Sequence, residues 1–224
     1  MSAKRTATKK KVLIVDDHPI MRQGLAQLIN HEPDLVVCAE AENAGQALEA
    51  ADQSHPDLAI IDISLTGRNG LELIKDLRVR HPSLRMLVMS MHDESLYAER
   101  ALRAGARGYI MKQAGGRMLM EAIRRILAGQ IYVSDKMSAR IVESFAGQRS
   151  TAARQGVEGL TDREFEVFQL IGQGRGTRQI AEQLNLSVKT VEVHRLHIKE
   201  KLQIADAPSL VRFAVRWVES QQAG

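Results

Sequence analysis

Five short apolar runs recur along the first half of the chain, each followed by an amphipathic stretch. This alternation constrains the fold more than any other feature. The runs are Val12–Val15, Leu35–Ala39, Leu58–Ile61, Met86–Met89 and Tyr109–Met111. They are largely β-branched and nearly continuous in apolar character, so they read as strands of a parallel sheet buried on both faces. Between them, Ile20–Asn30, Ala44–Ser54, Leu71–Arg80, Ser95–Ala104 and Arg117–Ala128 carry apolar residues at helical spacing. Five strands alternating with five helices predict an α/β doubly wound sheet.

The strand signal stops after Gly129. Ser134–Phe145 has a helical apolar stripe of Met137, Ile141, Val142 and Phe145, and Ala146–Gly159 has linker composition with one lone valine. From Leu160 onward every pattern is helical. The expected organisation is therefore a domain over 12–130, a helix and flexible linker over 131–159, and an all-α domain over 160–220. The first residues, 1–11, hold Lys4, Arg5, Lys9, Lys10 and Lys11. Only Val12–Val15 follows before Asp16 and Asp17, too short for the apolar core of a signal peptide, so 1–11 reads as a disordered basic tail. No apolar run approaches the ~20 residues that cross a bilayer, which leaves no expected membrane partner. Cys38 is the single cysteine, which excludes an internal disulfide and suits a cytoplasmic protein.

Open α/β sheets bind ligands beyond the carboxyl ends of their strands, where strand order reverses. Asp16 and Asp17 follow the first strand, Asp62 the third, Ser90 ends the fourth, and Lys112 follows the fifth. In a flavodoxin-like order, 2-1-3-4-5, strands one and three are neighbours and the three carboxylates converge. Like charges in a partly desolvated site repel one another, and Mg²⁺ relieves this by taking a few carboxylate oxygens. One carboxylate is then left to attack a phosphoryl donor, with Lys112 and Ser90 placed to meet the phosphoryl oxygens. Singly, each aspartate is an ordinary turn or cap residue; the joint placement at four strand ends carries the reading.

Residues 12–128 resemble the receiver domain of two-component response regulators. The resemblance rests on Val15-Asp16-Asp17-His18-Pro19, on the run from Ile61-Asp62 to Gly70, on Met89-Ser90, and on the run from Ala104 to Tyr109-Ile110-Met111-Lys112. It implies Asp62 as phosphoacceptor from a histidine kinase. It implies Mg²⁺ held by Asp17, Asp62 and the backbone carbonyl of Ser64, with Asp16 acting through water, and it implies Ser90 and Tyr109 as switch positions beside Lys112. The chain departs from the family at Leu65-Thr66, where Met-Pro is frequent, and at Gln113, where proline is frequent. Neither position carries a reacting group. An aspartate-nucleophile phosphatase of the haloacid dehalogenase kind needs Asp-x-Asp after its first strand, whereas Asp16 and Asp17 are adjacent. The chain is thus expected not to be an enzyme beyond its own phosphotransfer and dephosphorylation.

In the last third, Leu160-Thr-Asp-Arg-Glu164 is a capping box, with Phe165, Val167, Phe168, Leu170 and Ile171 facing a core. Gly172, Gly174 and Gly176 break that helix, Thr177 is placed to cap the next, and Ile180, Ala181 and Leu184 point inward. Ser187 follows a tight turn at Asn185 and caps a longer helix to about Leu202, with Val191, Ile198 and Leu202 inward. Asp206-Ala-Pro208 starts a final helix carrying Leu210, Val211, Ala214, Val215 and Val218. Short helix, tight turn and longer helix make a helix-turn-helix. Nine Lys and Arg stand against eight Asp and Glu from Leu160 to Gly224, so electrostatics alone leave a protein-binding helical bundle open. His194 and His197 have no further ligand nearby to make a metal site.

Leu160–Val218 is similar to the LuxR-type DNA-binding domain of the NarL/FixJ group, through Leu160-Thr-Asp-Arg-Glu164, Gln179-Ile-Ala-Glu-Gln-Leu184 and Ser187-Val-Lys-Thr-Val-Glu-Val-His194. The resemblance implies promoter binding, with Lys189, Glu192, Val193 and Leu196 at the reading positions. Leu196 stands where some relatives carry a charge. Thr190, Arg195, Lys199 and Lys201 share the helix as further DNA-contact candidates. The expected protein is a transcription regulator switched at Asp62, dimeric on DNA, with RNA polymerase as a further partner. The remaining alternative keeps both domains but makes the first one silent, with DNA binding set by another ligand.

Overall fold

The computed structural model describes residues 9–65, 69–145, 156–157 and 159–222. They fall into two compact units divided between Ser138 and Ala139.

In the first unit the strands are β1 (Lys10–Val15), β2 (Leu35–Ala41), β3 (Leu58–Ile61), β4 (Arg85–Ser90) and β5 (Gly108–Met111). They form one sheet in the order β2-β1-β3-β4-β5 with every pairing parallel, as expected. Buried on both faces, the strands split their side chains by pleat. Val12, Ile14, Leu58, Ile60, Leu87, Met89 and Ile110 join one core with Leu25, Ile29, Leu119, Ile123 and Ile126. The helices are α1 (Pro19–Asn30), α2 (Ala44–Ser54), α3 (Gly70–Arg80), α4 (Glu94–Ala104) and α5 (Gly116–Leu127). A sixth, α6, spans Asp135–Phe145. Asn43, Asn69 and Asp93 cap α2, α3 and α4 by accepting backbone N–H groups of the first turn.

Two features differ from the sequence expectation. Lys10 and Lys11, assigned to a disordered tail, begin β1: Lys10 N donates to the Asp34 carbonyl, and its Nζ lies 2.7 Å from Asp57. Basic side chains on an edge of the strand obscured it. The rest of that tail, 1–8, lies outside the described residues. After α5 the chain returns to the sheet, where Tyr132 bridges Gly108 in parallel and is buried. Arg125 sits over its ring at 5.6 Å. One residue of pairing leaves no periodicity to read.

The second unit has α7 (Asp162–Gly172), α8 (Thr177–Gln183), α9 (Val188–Lys201) and α10 (Ala207–Gln222). The capping box at Thr161 and Glu164 forms reciprocally, and Ser187 caps α9 through the Thr190 N–H. Thr177 does not cap α8; Gly176 is the N-cap, and its N–H donates to Gln179 Oε1 at 3.0 Å. Val157, read as a lone linker valine, is buried, so this unit starts before Leu160. The other residues of the expected linker, 146–155 and 158, lie outside the described residues. On α10, Val211 is exposed, while Phe213 and Trp217 pack on Phe165 and Phe168 with ring centroids 5.5–5.9 Å apart. Among the described residues, no helix is long and apolar enough to cross a membrane.

Candidate functional site

Parallel pairing of β1 with β3 and of β4 with β5 brings the strand ends to one edge. Asp16 and Asp62 sit there almost fully buried, which a carboxylate tolerates only when paired. Lys112 supplies the charge: its Nζ lies 2.6 Å from Asp16 Oδ2 and 2.7 Å from Asp62 Oδ2, with its side chain 5% exposed. Asp17 is adjacent and more open. Burial raises the Asp62 pKa; Lys112 opposes this, and Asp16 adds to it. Burial works against the Lys112 ammonium, yet its bonds to Asp16 and Asp62 hold its pKa above the usual value.

Three carboxylates against one ammonium leave the cluster at −3 + 1 = −2. Ligand atoms of Asp16, Asp17, Asp62 and His18 all lie within 4.8 Å of one another. An oxygen-rich donor set with two surplus negative charges fits a hard divalent cation. His18 did not emerge from the sequence as a site residue. Its ring Nδ1 lies 2.8 Å from Asp17 Oδ1 and 3.2 Å from Asp16 Oδ1, and its backbone N–H donates to Asp16.

Ser64, two residues after the acceptor, bonds back to it. Ser64 N–H donates to Asp62 Oδ1 at 3.2 Å, and Ser64 Oγ meets His92 Nε2 at 2.9 Å. Ser90 is fully buried, and its Oγ accepts the His92 N–H. Tyr109 is buried too, and its hydroxyl donates to the His92 carbonyl at 2.8 Å; burial pushes its pKa well up. His92 stacks on Tyr97 with centroids 4.5 Å apart. Burial, helped by the Lys112 charge, lowers the His92 pKa. Thus Ser90 and Tyr109 meet around one histidine that no sequence pattern marked, because its role arises only when the β4–α4 loop folds back.

Gly70 is required sterically at this edge. A Cβ there would stand 2.1 Å from the Asp62 carbonyl oxygen and 2.8 Å from Ile63 Cα, both backbone atoms that cannot swing aside. Gly70→Ala is expected to displace the Asp62 loop and lower stability by about 1–3 kcal/mol or more. Urea unfolding measures it, and a loss below experimental error would show that the loop yields freely.

The second candidate surface is α9. Val191 and Ile198 are fully buried, and Val193 and Leu196 on the opposite side are 43% and 48% exposed. Lys189 and Glu192 lie exposed on that same outward side. Two large apolar side chains are thus held in water on the outward side of the helix-turn-helix. The Thr190 hydroxyl bonds Ser187 Oγ at 2.7 Å, Arg195 and Lys199 are half-buried, and Lys201 is engaged by Glu164 at 2.6 Å.

Comparison with known proteins identifies the family of each unit. Residues 12–124 match the response regulator receiver domain, and residues 158–214 match the bacterial regulatory proteins of the luxR family. The chain is 35% identical over 210 residues to the oxygen regulatory protein NreC of Staphylococcus carnosus, covering 92% of this chain and 97% of that one. It is 38% identical over 205 residues to the transcriptional activator protein ExaE of Pseudomonas putida, covering 91% and 95%. A LuxR-family two-component response regulator from Aurantimonas sp. SI85-9A1 superposes with a TM-score of 0.58 at 35% identity, over 62% of this chain and 99% of that one. RcsB of Salmonella enterica serovar Typhimurium, solved bound to promoter rprA with BeF3-, shares the fold at a TM-score of 0.60 and 24% identity, over 93% and 99%. A receiver unit and a LuxR-type helix-turn-helix on one chain, matched along nearly its whole length, make this protein a LuxR-family two-component response regulator, a DNA-binding transcriptional regulator and not an enzyme in the usual sense.

Proposed function

We propose that Asp62 accepts a phosphoryl group from a histidine kinase and that this sets promoter binding by α9. The observation that carries the reading is the buried Lys112 ammonium bridging Asp16 and Asp62 at the carboxyl edge of the sheet. A lone pair on an Asp62 carboxylate oxygen attacks phosphorus; the new O–P bond forms as the P–N bond to the kinase imidazole breaks, and the imidazole leaves with the bonding electron pair and is then protonated. Lys112 neutralises charge on the phosphoryl oxygens, and the Ser64 N–H and Ser90 hydroxyl stand beside the acceptor to bond them. Asp16, Asp17, Asp62 and the Ser64 carbonyl would hold Mg²⁺, which would supply charge neutralisation at the attacked phosphorus. Tyr109 and Ser90, both tied to His92, carry the change toward α4.

On DNA, Lys189, Glu192, Val193 and Leu196 read base edges, while Arg195 and Lys199 meet phosphates. RcsB has been seen as dimers on DNA, and the same arrangement is proposed here, in the cytoplasm, with RNA polymerase addressed at the promoter. Incubation with acetyl phosphate and Mg²⁺, followed by peptide mass mapping, tests the first half. One phosphoryl group on the peptide that holds Asp62 is the expected result, and modification elsewhere would refute it.

A further inference from the structure

Two adjacent residues at the start of α7 reach the two ends of α9, one the turn before it and the other its last turns. Arg163 Nη2 donates to the Leu184 carbonyl at 2.7 Å. Leu184 is the C-cap of α8, where a backbone carbonyl has no partner within the helix. The same guanidinium is held by Glu166, buried, through Nη1 at 2.8 Å. Arg163 therefore fixes the turn that precedes α9, beside Asn185 with its left-handed φ of 54°.

Glu164 fixes the other end. Its carboxylate, 5% exposed, receives the Lys201 ammonium at 2.6 Å and has His197 Nδ1 at 3.8 Å. Both partners lie in the last turns of α9. Its Oε2 also accepts the Thr161 N–H at 2.8 Å, so the carboxylate is locked on α7 while it holds α9. Burial would raise the Glu164 pKa, but Lys201 and Thr161 outweigh it and hold the carboxyl below its usual range. A Lys201 that swung away to a DNA phosphate would leave the buried Glu164 carboxylate without its ammonium. Lys189 is exposed, and no described residue holds it in such a tie.

We propose that Arg163, Glu164 and Lys201 form a positioning clamp that sets the angle of α9 on DNA, and that Lys201 makes no phosphate contact. A recognition helix must be held to within a fraction of an ångström and roughly 10–20° to present its side chains to base edges, and two charged anchors on one rigid helix supply this. The inference rests on the proposed DNA-binding reading.

The test uses the full chain, phosphorylated with acetyl phosphate and Mg²⁺, and the duplex that it enriches most from a randomised library. Affinity is measured across a salt series for the wild type, Lys189→Gln, Lys201→Gln, Glu164→Gln and the Glu164→Gln/Lys201→Gln pair. Glutamine at 164 keeps the capping box while removing the charge. Each phosphate or groove cation lost lowers the slope of log K against log salt by about 0.9, and Lys189→Gln is expected to show this. Lys201→Gln and Glu164→Gln are each expected to weaken binding about tenfold at every salt with the slope unchanged, and the pair to be no weaker than either single variant. Fluorescence of Trp217, the single tryptophan, packed on Phe165 and Phe168, identifies any variant whose unit has unfolded; if Lys201→Gln is one, the slope is read in the Glu164→Gln/Lys201→Gln pair, which removes the ammonium without stranding a buried charge and should keep the wild-type slope. A slope lowered by Lys201→Gln, or single losses that add in the pair, would overturn the clamp. Failure to enrich any duplex would instead bring down the DNA-binding reading, and the clamp with it.

Discussion

Asp62→Asn is expected to abolish labelling by acetyl phosphate and, with it, any phosphodonor-stimulated gain in DNA binding. The amide has no anionic oxygen to attack phosphorus, and the other buried carboxylate of the cluster is already engaged. Asp16 is tied to Lys112, His18 and its own turn. The same substitution should raise stability without Mg²⁺. Burial raises the Asp62 pKa, so the folded state binds its proton more tightly than the unfolded chain does. The ionised form therefore costs stability at neutral pH, and that cost falls as pH drops from the folded pKa toward the unfolded one. An uncharged Asn removes the cost and weakens Mg²⁺ binding. The melting midpoint in EDTA should rise by a few degrees, and the Mg²⁺-induced shift should shrink. Unaltered phosphorylation of the Asn variant would remove Asp62 from its proposed role. A lower midpoint in EDTA would show that its bond to Lys112 outweighs the repulsion from Asp16.

Lys112→Met should have the largest effect on stability. The thioether keeps most of the buried stem but leaves Asp16 and Asp62 as two carboxylates with no ammonium between them. Breaking a buried pair from one side costs about 3–5 kcal/mol, several times the value of an exposed one. The pH dependence has a definite sign. The folded Lys112 pKa is raised, so its contribution is fully present below the unfolded lysine value of about 10.4 and is lost as pH rises through the folded pKa. On the acid side, Asp62 takes up its proton early, so the deficit of the Met variant should narrow as pH falls. Mg²⁺ should recover part of the loss, since it meets the same surplus charge. Urea unfolding of the first unit at neutral and mildly acidic pH, with and without Mg²⁺, provides the comparison. A loss under about 1 kcal/mol would place Lys112 with surface ion pairs and not at the centre of the site.

The legibility of this chain varied with how local the cause was. Five apolar runs determined the strands, because burial on both faces demands near-continuous apolar character, and the parallel order followed with the carboxylate edge. Asp16, Asp17, Asp62, Ser90 and Lys112 were legible because each sits at a strand end, and strand ends are set by local pattern. The capping box at Thr161 and Glu164 and the cap at Ser187 were legible for the same reason. Thr177 was misplaced by one residue because a glycine can start a helix as readily as a threonine beside it. Phe213 and Trp217 were overlooked because only part of each ring is buried, so the aliphatic stripe of α10 appeared to carry the core.

By itself the sequence determined the doubly wound sheet, the site at its carboxyl edge and the helix-turn-helix that follows. Only the tertiary structure decided that Lys112 bridges Asp16 and Asp62, that His92 gathers Ser64, Ser90 and Tyr109, and that Lys201 faces Glu164. Each of these joins residues distant in sequence through side chains a few ångströms long. Periodicity reports which face of an element is buried; it carries no record of which buried charge another element will bring to meet it.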